Sequence, residues 1–185
     1  MACDVSAGRI EPCKDSVGGL NAIYIVNNGD ITGYTFDATN TDAIETVTGT
    51  PHAYRYDLND QASVFEQTTT SSRDNGTTFW EQTLTVNLKK LSITDHKEFK
   101  LLAWGNPQII VEDKNSNFFL MGKEHGADVT GGTITTGAAM GDLSGYTVEF
   151  KSMERVPANF FEATDREGLA TAGFIVVNGD GTFFS

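Results

Sequence analysis

The chain lacks any long hydrophobic run. Its apolar residues occur in short stretches, and none approaches the roughly 20 residues that a membrane-spanning helix needs. The start, Met1 to Ser6, also lacks the charged and then apolar arrangement of a signal peptide. We therefore expect no membrane span, and a protein that is made and kept in a cytoplasm.

Cysteine and histidine are scarce, with 2 and 3 residues, and no CxxC or HxxxH spacing occurs. A zinc site needs about four ligands at close spacing, so we expect no metal and no cofactor. Cys3 and Cys13 are near enough in sequence to bridge a short loop, but free thiols are expected in a cytoplasmic product. The segment from Asn178 to Gly181 lacks the downstream glutamate of a calcium loop, so we interpret it as a turn.

Positive charge is the third scarcity. The chain has 13 Lys and Arg residues against 25 Asp and Glu residues, a formal net charge of -12. Arg55 is the only basic residue between Asp15 and Ser72, and none lies between Glu124 and Phe150. Proteins that grip nucleic acid need Lys and Arg to bind phosphates, so this balance argues against that class. It suits either an ordinary soluble acidic surface or a surface along which nucleic acid passes without sticking.

Catalytic motifs are missing as well. The sequence has no GxGxxG or GxxxxGK[ST] phosphate loop, no GxSxG elbow and no evident Ser/His/Asp set. Asp57 and Asp60 form a carboxylate pair, but solvated loop acids are the simpler interpretation. We therefore predict that the protein is not an enzyme. For Trp80 and Trp104 we expect an interface and a core position, with a sugar-stacking platform as the alternative.

Glycine and short alternating segments are what the chain has in abundance. With 19 Gly against 4 Pro, such segments recur between Gly, Asn and Asp turns, which predicts a mainly β protein. We expect an N-terminal arm over 1–19, a β-sandwich or barrel domain over 20–161 and a C-terminal extension over 162–185. The domain is expected to hold one α-helix, capped by Ser92 or Thr94 and ending near Ala103.

A long polar hairpin is the most distinctive predicted element. It runs from Val64 to Val86, and Asn75-Gly76 predicts a two-residue type I′ turn that would pair Ser71 with Trp80. Only the base of the hairpin has an apolar face, and an isolated ribbon of this kind is marginally stable. We therefore expect a protruding hairpin whose distal half rests on another subunit.

One stretch resembles a known family. Residues Gly141–Phe150 (GDLSGYTVEF), followed by Met153–Phe161 (MERVPANFF), resemble the last core strand of bacteriophage tail tube subunits. In that family a Gly-Asp-X-X-Gly-Tyr turn enters a strand that ends in a Glu-Lys/Arg-X-Pro-Ala-X-Phe run. The start of the chain, Ala2–Asp4 and Arg9–Gly19, is similar to the start of tailed-phage virion proteins. The predicted order of strands, long hairpin, helix and closing strands is also that of the tail-tube fold, which secretion-system tube proteins share.

The resemblance implies a structural virion protein whose subunits form stacked hexameric rings around a DNA-conducting channel. It implies contacts with other copies and with tail proteins such as the tape measure, sheath or terminator, in a tail assembled in the host cytoplasm. DNA would pass transiently and without sequence preference. The expected interface residues on the hairpin are Thr69, Ser71, Arg73, Asn75, Gly76, Thr78, Trp80 and Gln82. The expected lumen acids are Asp37, Asp42, Glu45, Asp57 and Asp128.

Two alternatives remain open at this stage. The first is another β-sandwich of the virion, such as a tail terminator or head-decoration protein, or a tube-like secretion subunit. The second is a carbohydrate-binding β-sandwich module that uses Trp80 or Trp104.

Overall fold

Two β-sheets and two helices make up the part of the chain that the computed structural model describes, which is residues 8–11, 13–58 and 62–184. One sheet has nine strands in the order β13-β12-β4-β1-β7-β8-β11-β3-β2, and the other has four in the order β5-β6-β10-β9. The mainly β expectation is confirmed. The elements are β1 (Leu20–Val26), β2 (Ile31–Phe36), β3 (Ala43–Gly49), β4 (His52–Asp57), β5 (Val64–Ser72), β6 (Thr77–Lys89), α1 (Ile93–Leu102), β7 (Gln108–Asp113), β8 (Phe118–Met121), β9 (Asp128–Thr135), β10 (Gly145–Glu154), β11 (Asn159–Phe161), α2 (Arg166–Thr171), β12 (Ile175–Val177) and β13 (Phe183–Phe184).

The centre of the larger sheet is buried on both faces. Its adjacent strands β1 and β7 carry the unbroken apolar runs Ala22–Val26 and Ile109–Val111, as strands covered on both sides require. One face packs against the four-stranded sheet, where Ile23 and Phe150 belong to the same cluster. The other face lines a second cluster that includes Tyr24.

The C-terminal segment completes this second cluster. Strand β12 pairs in parallel with β4 and antiparallel with β13. Leu169 on α2, Phe174 and Val176 are all buried in the cluster. Residues 162–184, expected as an extension, therefore supply two strands of the larger sheet and part of its core.

The expectation of a single helix is wrong, because α2 is a second one. Asp165 caps it, and its carboxylate Oδ1 accepts a hydrogen bond from the Gly168 N–H at 2.7 Å. The first helix, α1, begins as predicted after Ser92, whose hydroxyl oxygen accepts from the Asp95 N–H at 3.0 Å. It lies against the edge of the sandwich through Phe99, whose ring centroid is 4.6 Å from that of Tyr146.

The hairpin forms where the sequence places it, but its register differs from the prediction by two residues. Thr69 lies opposite Trp80 and Ser71 opposite Thr78, so four residues, 73–76, form the loop. The Gly76 N–H donates to the Arg73 carbonyl at 3.3 Å, and Gly76 itself has φ of 63°. This is a four-residue turn with a left-handed glycine in place of the two-residue turn. Because the side-chain period of a strand is two, the shift leaves every side chain on its predicted face.

Candidate assembly surface

The four-stranded sheet has one apolar and one polar face. Leu84, Val86, Tyr146, Val148 and Phe150 point into the sandwich core. The residues that alternate with them form what we call the polar face, and each of these residues is exposed or half-buried. Its members on β5 and β6 are Val64, Glu66, Thr68, Glu81, Thr83, Thr85, Asn87 and Lys89, and those on β10 and β9 are Thr147, Glu149, Lys151, Met153, Asp128, Gly131, Thr133 and Thr135.

Both edges of this sheet are open within the described residues. β5 pairs only with β6, and β9 pairs only with β10, in the ranges 8–11, 13–58 and 62–184. All three pairings are antiparallel, so β5 and β9 run in opposite directions. β9, with sequence DVTGGTIT, carries no Lys, Arg or Pro. A long edge strand without such residues is a template for pairing with another chain.

The tip of the hairpin overhangs this sheet. β10 accompanies β6 as far as Trp80, which lies opposite Glu154. Beyond that pair only β5 and β6 remain, joined by a hydrogen bond between the hydroxyl oxygens of Ser71 and Thr78 at 2.9 Å. The exposed residues among the predicted interface set are Thr69, Ser71, Arg73, Asn75, Gly76 and Thr78. The protruding part is therefore shorter than the sequence suggests, since β10 supports most of the ribbon.

Gln82 does not belong to the exposed tip. Its side chain is buried, with 1% of the residue exposed, and its Oε1 accepts a hydrogen bond from the Gly122 N–H at 3.1 Å. Its prediction as an interface residue is corrected, because it holds the loop after β8 inside the subunit. Trp80 is half-buried on the same side of the hairpin.

The loop over 122–126 is also fixed by Glu154, a buried carboxylate. Its Oε1 accepts from the backbone N–H groups of Glu124 and His125 at 3.1 and 3.0 Å, and its Oε2 lies 3.2 Å from the His125 Nδ1. Ligand atoms of Glu124, His125 and Glu154 lie within 4.8 Å of one another. Since these hydrogen bonds already engage the Glu154 carboxylate, its role here is to anchor the loop.

Polar groups on β7 and β2 of the larger sheet bind the same loop. The Gln108 Nε2 donates to the Tyr34 hydroxyl oxygen at 2.9 Å and to the Lys123 carbonyl at 2.8 Å. Burial raises the pKa of Tyr34 to about 12. The hydrogen bond from Gln108 lowers this pKa by a smaller amount, and the negative charge of Glu154 raises it further. Tyr34 therefore stays neutral over the physiological range.

The predicted lumen acids fall in three separate places. Asp37, just after β2, and Glu45, on β3, lie beside Glu162. Desolvation, followed by the negative charges of these two acids, raises the pKa of the Glu162 carboxyl. Asp42 is in the adjoining loop, where its carbonyl accepts from the Asn159 Nδ2 at 3.0 Å.

The other two acids lie apart from that group. Asp57 ends β4 and forms an ion pair with Arg55 at 2.6 Å. Of the five predicted acids, Asp128 lies on the polar face, opposite Lys151. The structure therefore brings Asp37, Asp42 and Glu45 into one region and separates the remaining two.

Glu66, Glu81 and Glu149 are the acids on the polar face that the sequence-based selection missed. Their positions at alternate residues of β5, β6 and β10 put them on the same side as Asp128. Alternation within these strands could have placed each of them on a polar side, but not all of them on one continuous face.

The two tryptophans and the cysteines occupy different surroundings. Trp104 was expected in the core, and this is wrong: it is 76% exposed just after α1, with the Lys100 Nζ 5.0 Å from its ring centroid. Cys13 is a free, exposed thiol. Cys3 and Asp60 lie outside the described residues.

No helix among the described residues is long and apolar enough to cross a membrane. Comparison with protein-family models, curated proteins and solved structures finds no match to this chain.

Proposed function

We propose that the protein is the structural subunit of a bacteriophage tail tube, assembling into stacked hexameric rings that enclose a DNA channel. The observation that carries the proposal is the four-stranded antiparallel sheet, which has two open edges, one face in the core and the other face polar. The resemblance of residues 141–161 to the tail-tube strand is the second support.

Strand direction favours a closed ring. If β5 of one subunit lies beside β9 of the next under rotational symmetry, the two strands run antiparallel. Each subunit adds four strands, an even number, so the alternation of direction continues around the ring without a break. Closure into a barrel also removes both open edges, which stabilises the assembly against unwanted pairing.

In such a ring the polar face lines the channel, because the opposite face is in the subunit core. Threonine would line much of it, with Glu66, Glu81, Asp128 and Glu149 as its acids and Lys89 and Lys151 as its cations. Negative side chains repel DNA phosphates, so DNA would slide without being bound. Glu45 on β3 and the nearby loop residues Asp37 and Asp42 are at the larger sheet, and they would then lie away from this channel.

The hairpin tip would make the contact with the adjoining ring, since it overhangs the end of the same sheet. Contacts with a tape measure, sheath or terminator protein, a place in the virion tail and the absence of catalysis belong to the same proposal. The contacts and the place in the tail rest on the resemblance, whereas the absence of catalysis rests on the missing motifs.

Cysteine cross-linking tests the ring geometry directly. In a background with Cys3 and Cys13 changed to serine, Thr68→Cys on β5 is combined with Thr133→Cys or Thr135→Cys on β9. All three positions are on the polar face, so an antiparallel joint can bring one pair together. Oxidation should give a ladder of covalent oligomers that ends at the ring size, while negative-stain microscopy shows rings or tubes.

The matched control replaces the β9 cysteine with Thr50→Cys, an exposed loop position between β3 and β4. It should give no closed ladder. Rings that form without cross-links at either β9 position would refute a β5–β9 joint in these two registers, and a protein that stays monomeric would refute the tube proposal.

The exposure of Trp104 favours one rival, a carbohydrate-binding module, because an exposed indole offers a flat apolar ring on which a sugar can stack. A glycan array separates the two functions. Glycan binding that Trp104→Ala abolishes, in a protein that remains monomeric, would favour the rival.

A further inference from the structure

We propose that Glu81 and Glu149 mask Lys151, so that the cation in the middle of the polar face does not hold DNA phosphates. This inference rests on the proposed function, because it assigns a role to residues of the channel lining.

The geometry surrounds one ammonium with two carboxylates. The Lys151 Nζ donates to the Glu81 Oε1 at 3.2 Å and lies 3.8 Å from the Glu149 Oε1. Glu81 is on β6, whereas Glu149 precedes Lys151 by two residues on β10, so all three side chains are on the same face. The Lys151 side chain is 37% exposed, which leaves it within reach of a passing ligand.

A further contact holds the second carboxylate in place. The Thr130 hydroxyl donates to the Glu149 Oε1 at 3.0 Å. Glu149 is thereby oriented from the β9 side while Glu81 approaches from the β6 side. The lysine is enclosed between carboxylates carried by two strands, and a third strand supports one of them.

The net charge of this group decides what a phosphate would meet. Two carboxylates and one ammonium sum to a charge of minus one, so the group repels an anion although it contains a lysine. Without Glu81 and Glu149, the same lysine would keep only Asp128, opposite it on β9, and would offer a far less shielded positive charge in every subunit of every ring. Phosphates would then gain a salt-dependent attraction at regular intervals along the channel.

The test separates masking from assembly. The purified protein with 13C-labelled lysine is titrated with a short DNA duplex at low salt, and the Lys151 side-chain signal is followed by NMR. K151M identifies that signal. For wild type we expect the signal not to move, whereas in the E81Q/E149Q double variant it should shift, with an apparent DNA affinity at least about fivefold higher.

The triple variant E81Q/E149Q/K151M is the matched control, because it keeps both glutamines and removes the cation. It should return DNA binding to the wild-type level, and added salt should weaken the binding of the double variant. Melting curves for all variants establish that each one is folded.

Two results would overturn the inference. In the first, the double variant binds DNA no better than wild type; in the second, the double and triple variants bind DNA equally well, so that Lys151 does not contribute. Negative-stain microscopy of the same samples reports separately on the tube. If rings form but the double variant gains no DNA affinity, the role of Lys151 is refuted and the tube proposal stands. If the double variant gains DNA affinity but no rings form, the tube proposal is refuted and the masking of Lys151 stands.

Discussion

Replacing Phe150 with alanine tests the assignment of the apolar face of the four-stranded sheet. Phe150 is 1% exposed and lies opposite Leu84 on β6 and Val129 on β9. Because β10 is flanked by strands on both sides, its backbone cannot collapse far into the space that the ring leaves. The perturbation should therefore leave a cavity that the protein fills poorly.

The magnitude follows from two contributions. Loss of the buried aromatic surface costs about 2–3 kcal/mol, and the residual cavity brings the total to about 3–5 kcal/mol for Phe150→Ala. In a protein of this length each kcal/mol lowers the melting temperature by about 2–4 °C, so we expect a fall of about 6–20 °C.

The assay is thermal and urea unfolding of purified wild type and variant, followed by circular dichroism. Phe183→Ala is the control, because Phe183 is 68% exposed on β13 and its loss should change the free energy of unfolding by about 0.5 kcal/mol or less. If Phe150→Ala does not fold, Phe150→Leu should fold with a smaller loss. A melting temperature of Phe150→Ala equal to wild type would refute the inward position of this side chain.

Three further predictions concern other parts of the chain. Replacing residues 71–78 with Asn-Gly, so that the turn follows the Thr70–Phe79 pair, should leave the melting curve nearly unchanged and abolish tubes in micrographs; tubes that still form would show that the tip is dispensable. Gly145→Ala should destabilise the protein by about 1–3 kcal/mol, because the added Cβ would lie 2.1 Å from the Leu88 carbonyl oxygen. Gly141→Ala has open space for its Cβ and should leave stability unchanged, so equal urea midpoints for the two variants would contradict the prediction. Burial raises the pKa values of Tyr34 and Tyr56 from 10.0 to about 12, so the folded state holds these protons more tightly than the unfolded state does. The free energy of unfolding should therefore fall as pH rises from 10 through 12, and an ultraviolet titration in which all tyrosines ionise near 10 before unfolding would refute this prediction.

Local signals in the sequence account for much of the fold. Alternation and turn residues indicated the mainly β class and the long hairpin, and Ser92 identified the start of α1. The hairpin register was missed because Asn75-Gly76 suits a two-residue turn, whereas the chain uses a four-residue loop with only Gly76 left-handed. The face assignment survived this error because of the two-residue period.

Long-range pairing could not be inferred from such signals. Nothing local to Ile175–Val177 indicates a parallel partner some 120 residues earlier in β4. For the same reason the acids were chosen by sequence region, and only Asp128 lies on the polar face. Gln82 looked like one more polar hairpin residue, because its neighbours in sequence are polar. The loop that buries it comes from 40 residues further along the chain, so no local signal indicates its burial.

The order of synthesis gives the parallel pairing of β12 with β4 a kinetic meaning. All four strands of the smaller sheet, including the edge strands β5 and β9, have been synthesised once the chain reaches Glu154. The second core cluster lacks Leu169, Phe174 and Val176 until the last part of the chain emerges. Such non-local closure is slow compared with hairpin formation. A nascent chain therefore has its edge strands before its core is complete, and these edges are open to pairing with other chains while folding is still incomplete.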